Sequence, residues 1–503
     1  MSSDPLGKSN RLVRNSLYGL LSWLLPILPT MVATPIVVGG LGKDQYGVLV
    51  VLLSFITYYF TNGIGRIVAK YIAEYRATGE HHKIASIISA TILLGIVVCL
   101  AGTAMTMLFA RVIVTEILLI PGEFQVEAID GLYIACATIL SITIGQIFQF
   151  ALQGLQRFDK FMLLTNLNSV SFSVGSIILV LNGFGIISLL YWNLFTTIAV
   201  GCFSFVLATR SLPEFRFRFR LDTQTWRAVL HYAGGIMAYQ VCGSILLLFE
   251  RAWLMRNFGP EDLTYYAVPM ALGMYLHLFV ASLVIAMFPM MNELLTDREK
   301  LVALYQKSTK LVLAIVTFAL VSAIIGGRMF LRLWLDNDFA MQSYSLLVIH
   351  FATFAILALS TIAWQVAESF RKAALNALST FLWMSAGIVL MVVLSGPWLI
   401  NGVGMARLIG VLVFFPLIFY VEIRFLGGFY WRFWGSMSVR IAFAAALTAI
   451  AEILVTLVLN ASWLTLGLTA LAGAISFLAG LLLSGFFDDS ERRLIGNLMA
   501  RRG

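Results

Sequence analysis

The sequence predicts an all-α polytopic membrane protein, on three observations. First, 60% of its 503 residues are hydrophobic and 12% are charged, against about a quarter charged in ordinary soluble domains. Second, the apolar residues gather in runs of about 20, the length a helix needs to cross a bilayer core. Third, short cationic segments separate those runs. This pattern excludes a soluble multidomain enzyme, a disordered chain, collagen and a disulfide scaffold. A membrane β-barrel would alternate polarity over segments of about 10 residues, and the sequence has no such segments.

Taken in order, apolar runs of about 18–25 residues give about fourteen spans. Their cores are 16–38, 46–65, 85–110, 129–152, 161–181, 186–208, 233–254, 264–289, 311–331, 343–366, 375–396, 402–421, 439–459 and 463–486. Met1 to Asn15 is polar and cationic and carries Arg11 and Arg14. The run that follows is long enough to span, and no small-residue cleavage site follows it, so it reads as a retained first helix. Pro26, Pro29 and Pro35 lie in that first span, and Pro289 closes the eighth. Proline removes a helical hydrogen bond and kinks the helix, so these four are hinge candidates. The plainer reading is the general frequency of proline in membrane helices.

Most of the 34 Lys and Arg fall on one set of alternate loops if the N-terminus is placed inside. That is the positive-inside distribution. It predicts a multi-pass membrane protein with both termini cytoplasmic. The loops are too short for a separate catalytic domain, so function must reside between the helices. Cys99, Cys136, Cys202 and Cys242 lie far apart inside apolar runs, and the His residues form no HExxH set. Neither metal nor cofactor is expected. No Walker loop is present, which argues against ATP hydrolysis by the chain.

Gly42-Lys43-Asp44-Gln45-Tyr46 is echoed six spans later by Gly259-Pro260-Glu261-Asp262-Leu263. Each segment is a short outward turn between two spans. An even offset keeps the orientation of the copy, so two parallel six-helix lobes around a central cavity are expected, plus two extra C-terminal helices. The division is 1–210 for the first lobe, 211–232 for a cationic linker, 233–424 for the second lobe and 425–503 for the added helices and tail. Within the linker, Phe215 to Arg220 alternates Phe and Arg, a pattern suited to docking on anionic lipid.

Several local sequences carry a resemblance. Asn62-Gly63-Ile64-Gly65-Arg66 with Lys70-Tyr71-Ile72-Ala73-Glu74-Tyr75, Leu152-Gln153-Gly154-Leu155-Gln156-Arg157-Phe158, Phe288-Pro289 and the Gly42 turn resemble Wzx-type polysaccharide flippases, within the multidrug/oligosaccharidyl-lipid/polysaccharide exporter group. Glu250-Arg251 stands where relatives often carry Asp-Arg. The resemblance implies an alternating-access flippase that moves polyprenyl-pyrophosphate-linked oligosaccharide from the cytoplasmic to the periplasmic leaflet, for O-antigen, capsule or exopolysaccharide assembly. It implies as partners that lipid-linked substrate, membrane lipids and the polysaccharide polymerase or export machinery, with no nucleic acid. It implies a transporter, not an enzyme.

Such a substrate cannot carry its pyrophosphate through hydrocarbon unaided, so ionisable residues inside spans are the site candidates. Arg66 and Lys70 sit four apart on one helix face and are candidates for the substrate path. Arg251, Arg407, Arg11 and Arg14 join them. The bland reading of these cations is anchoring at the membrane surface. Glu250, His277 and His350 are ion-coupling candidates. The competing readings for them are an interfacial charge for Glu250 and packing for the histidines. Two other functions compete. A multidrug/cation antiporter of the same group would want an acidic site in the first lobe. A multispan glycan polymerase or ligase would want a large outer loop.

Overall fold

The computed structural model describes residues 25–58, 61–212, 223–285 and 287–488. Arg11, Arg14, the Phe215–Arg220 alternation and the tail from 489 lie outside the described residues. Among those described the protein is helical, with no strand. Among the described residues, ten helices are long and apolar enough to cross a membrane. Two of these, Tyr239–Val284 and Ala373–Leu426, run to 46 and 54 residues. Non-helical backbone at Gly259 and Leu399 breaks them into shorter lengths. Many large apolar side chains face outward, among them Leu108, Leu181, Val458 and Leu483 at 71–80% exposure. Such a surface suits lipid, not water.

The chain forms two compact units. The first runs to Ala267 and also takes in Ala373–Ala406. It contains α1 (Ile27–Leu41), α2 (Lys43–Tyr58), α3 (Thr61–Thr78), α4 (Ile84–Leu108), α5 (Gln125–Gly154), α6 (Phe158–Leu181) and α7 (Ile186–Ser211). The earlier part of α8 (Thr223–Ile285) belongs to it as well. Its core is built mainly from Ile64, Ile67, Val68 and Ile72 of α3, Ile87 and Ile88 of α4, and Ile147, Phe148 and Leu152 of α5. On α3 the i, i+3, i+4, i+8 spacing of these residues puts them on one helix face. Close helix approach rests on small residues: a side chain at Gly145 would meet the Gly201 backbone at 3.1 Å.

Pro26 precedes the first residue of α1, Pro29 lies in its first turn, and Pro35 lies inside it. The Thr30 and Thr34 hydroxyls donate to the carbonyls of Pro26 and Thr30 at 2.9 and 2.8 Å. Pro289 occupies the first turn of α9 (Phe288–Glu293), where proline costs a helix little.

The second unit holds the later part of α8, α9, α10 (Arg298–Trp334), α11 (Asn337–Ser369), the end of α12 (Ala373–Val411), α13 (Phe414–Val421), α14 (Trp431–Val458) and α15 (Trp463–Leu483). A π-helical turn, Glu422–Leu426, follows α13. The buried Glu422 carboxylate accepts hydrogen bonds from Tyr305 Oη at 2.9 Å, Trp434 Nε1 at 2.8 Å and the Tyr430 amide at 3.2 Å. Three donors make a buried carboxylate tolerable, and they tie α10, the π turn and α14 together. Gly427, at φ 96°, packs against the Arg298 guanidinium, whose Nε donates to the Leu426 carbonyl at 2.8 Å.

Candidate functional site

In the first unit, two turns meet. Gly42 ends α1 at φ 82° and ψ 160°, and Gly259 breaks α8 at φ 88° and ψ 179°. The Thr264 hydroxyl donates to the Lys43 carbonyl at 2.6 Å. Lys43 Nζ donates to Tyr265 Oη at 2.8 Å, and Tyr265 Oη donates to Glu261 at 3.0 Å. A side chain at Gly47 would strike the Pro260 backbone. The two segments read as repeat copies in sequence therefore form one contact.

Nine residues before Gly259, Glu250 is fully buried and accepts from the Tyr266 hydroxyl across the Gly259 bend. Arg251 is half-buried, and its Nη1 donates to the Val50 carbonyl of α2 at 3.4 Å. Arg256 donates to the Glu116 and Ile117 carbonyls. Adjacent in sequence, Glu250 and Arg251 thus take different partners. Glu250 lies inside the packed helices, not at an exposed span end.

Arg66 and Lys70 are exposed on α3. Arg66 Nη1 donates to Tyr239 Oη of α8 at 3.1 Å, and Lys70 Nζ sits 4.6 Å from the Tyr71 ring centroid. Each of the two α3 cations thus meets a tyrosine.

In the second unit, two candidates far apart in sequence meet one ring, and a third lies a turn away on the ring's own helix. The Arg407 guanidinium stands 5.6 Å from the Phe354 centroid, and His277 lies 6.4 Å from it, ring to ring. A guanidinium over an aromatic face is an attractive cation–π arrangement. His350 is fully buried one turn before Phe354, and Arg407 is 5% exposed. Gly273 of α8 lets that helix approach α11: a side chain there would meet the His350 backbone at 3.1 Å and the Phe354 ring at 2.9 Å. Sequence reasoning found the three basic residues but not Phe354, which looks like any other core aromatic. It also missed Tyr239 and Tyr266, the hydroxyls that meet Arg66 and Glu250.

The sequence pattern of a family described as "Polysaccharide biosynthesis protein" matches residues 12–295, more than half of the chain. The chain belongs to that family. A Shigella flexneri protein named as an O-antigen transporter is 19% identical over 376 residues, covering 73% of this chain and 87% of its own. Among solved structures, the lipid II flippase MurJ in an inward closed conformation aligns with TM-score 0.71 and 14% identity, over 95% of this chain and 99% of its own. An inward-facing multidrug transporter of the MATE family aligns with TM-score 0.69 and 14% identity, over 81% and 98%. These two likenesses establish the fold of this polysaccharide biosynthesis family member.

Proposed function

We propose that this member of the polysaccharide biosynthesis family is an alternating-access flippase for polyprenyl-pyrophosphate-linked oligosaccharide, moving it from the cytoplasmic to the periplasmic leaflet of the bacterial inner membrane. The observation that carries the reading is Arg66 on α3 held against Tyr239 of α8, an exposed cation and a phenol on two helices of the first unit. A guanidinium is suited to pyrophosphate oxygens, and an aromatic hydroxyl beside it is suited to sugar. The named Shigella relative and the flippase fold support the same reading. So does the Gly42–Gly259 contact, which ties together segments assigned by sequence to the two parallel lobes. In this reading that contact is a closed outer gate, and the lobes are 1–210 and 233–424. The Glu250–Tyr266 pair and the His277–His350–Arg407 group serve as ion-coupling and path residues. The polysaccharide polymerase or export machinery receives the product.

The test is deletion of the gene in its host, followed by assay of leaflet exposure of polyprenyl-linked sugars, with complementation by wild type and Arg66→Ala. The expected result is cytoplasmic-side build-up of sugar-carrying lipid that wild type relieves and Arg66→Ala relieves poorly. Drug sensitivity without build-up would move the multidrug/cation antiporter to first place.

A further inference from the structure

Glu452 lies in α14, within the membrane-spanning part of the C-terminal hairpin, and is fully buried. Its Oε1 accepts from the Ser322 hydroxyl of α10 at 2.6 Å. Its Oε2 is buried and has no hydrogen-bond partner among the described residues. The pocket is shaped for the carboxyl group: Gly473 of α15 packs directly against it, and any side chain at 473 would strike its Oε1 and Cδ. A carboxyl group therefore sits where three helices converge, with one hydroxyl as donor.

An ionised carboxylate so placed would be very costly. Charged partners are remote. α15 carries no charged residue. On α14 the nearest is Arg440, about three turns away, and its Nη1 donates instead to the Gly485 carbonyl. On α10 the nearest is Arg328, under two turns from Ser322 and exposed. A bound metal cation would need several oxygen ligands, and among the described residues no group of three His, Cys, Asp or Glu is assembled. A proton alone neutralises the group within the space available.

We propose that Glu452 is a proton-binding site, occupied at neutral pH, that the C-terminal hairpin builds against α10. It is reached from the 459–462 end of the hairpin. The hydroxyls of Thr469 and Thr465 are buried on the α15 face that also bears Gly473, at four-residue spacing. Thr465 in turn meets the Ser462 hydroxyl at 2.9 Å, at the start of the helix. Thr469 Oγ1 donates to the Thr465 carbonyl at 2.8 Å and Thr465 Oγ1 to the Asn460 carbonyl at 2.6 Å, so the proton exchanges along this row as the hydroxyls turn off those carbonyls. The inference is independent of the transported substrate.

The test is infrared difference spectroscopy of the full chain in bilayers, wild type against Glu452→Gln, a near-isosteric change that keeps the packing. The expected result at neutral pH is a protonated-carboxyl carbonyl band in wild type that is lost in E452Q and unmoved by sodium or potassium. Transfer into deuterated water should shift that band, and Thr469→Val should slow the shift at least several-fold. An ionised-carboxylate difference at neutral pH, or a band that sodium abolishes, would overturn the proton site. Exchange unchanged in T469V would overturn the route.

Discussion

Gly42 and Gly259 adopt the same backbone conformation, positive φ with extended ψ, at 82° and 160° in one and 88° and 179° in the other. This region is open essentially to glycine alone. Replacing either by alanine is expected to cost about 1–3 kcal/mol. Gly428, at no such position, is the control. Thermal inactivation of purified protein in detergent, with Gly428→Ala alongside, checks it.

Lys43, Tyr265 and Glu261 form a partly buried chain between the two turns. Tyr265→Phe removes a hydroxyl that both accepts and donates. The expected loss is about 1 kcal/mol per hydrogen bond, concentrated in this contact. If the contact is a gate, a cysteine in place of the buried Thr264, which is close to it in size, should react faster with a membrane-impermeant thiol reagent in the Tyr265→Phe background. An unchanged rate would argue that the gate does not depend on this chain of bonds.

Tyr266 gives its hydroxyl to a fully buried carboxylate. Tyr266→Phe should destabilise by about 1–3 kcal/mol, because Glu250 loses a donor it cannot replace with water. The double variant Tyr266→Phe with Glu250→Gln should recover part of that loss. Unfolding midpoints for the two singles and the double form the cycle that measures it.

Asp297 caps α10, accepting from the Lys300 amide at 3.2 Å and pairing with Lys300 Nζ at 2.6 Å. The Lys300 hydrogen bonds hold its carboxyl below the usual carboxylate range. The folded form thus binds that proton less readily than the unfolded chain, so the capping contribution is present above about pH 4, the unfolded value. It is lost as pH falls through the lower folded value. Asp297→Asn keeps a capping oxygen and should flatten this acid limb in a pH series of thermal midpoints. An unchanged limb would assign the acid sensitivity to other carboxylates.

Span composition made the helical membrane class legible, because runs of apolar residues at membrane length have few other uses. The positions of Glu250, His277, His350 and Arg407 were legible as well, since ionisable residues stand out in such runs. Their surroundings were not. Tyr266 comes 16 residues after Glu250 and reaches it only because α8 bends at Gly259. Phe354 joins His277 to Arg407 through packing that no spacing encodes. Glu422 and Glu452 are equally visible as acids, but nothing near them in sequence says what they meet. What sets these two acids apart, donors on other helices, exists only in the folded chain.

The Glu422 cluster bears on how this protein can be shortened. Read along the chain, the final two helices look like an appendix that could be trimmed at Trp431. Energetically they are not detachable. Cutting there would remove the Trp434 donor from a buried carboxylate and strip α10 of its Ser322–Glu452 link. What remained would carry a carboxylate at its edge with two of its three donors, Tyr305 Oη and the Tyr430 amide. A version of this protein without that hairpin would therefore need repair at Glu422 before it could stand alone, and a graft of the hairpin onto a relative that lacks it would need that acid brought with it.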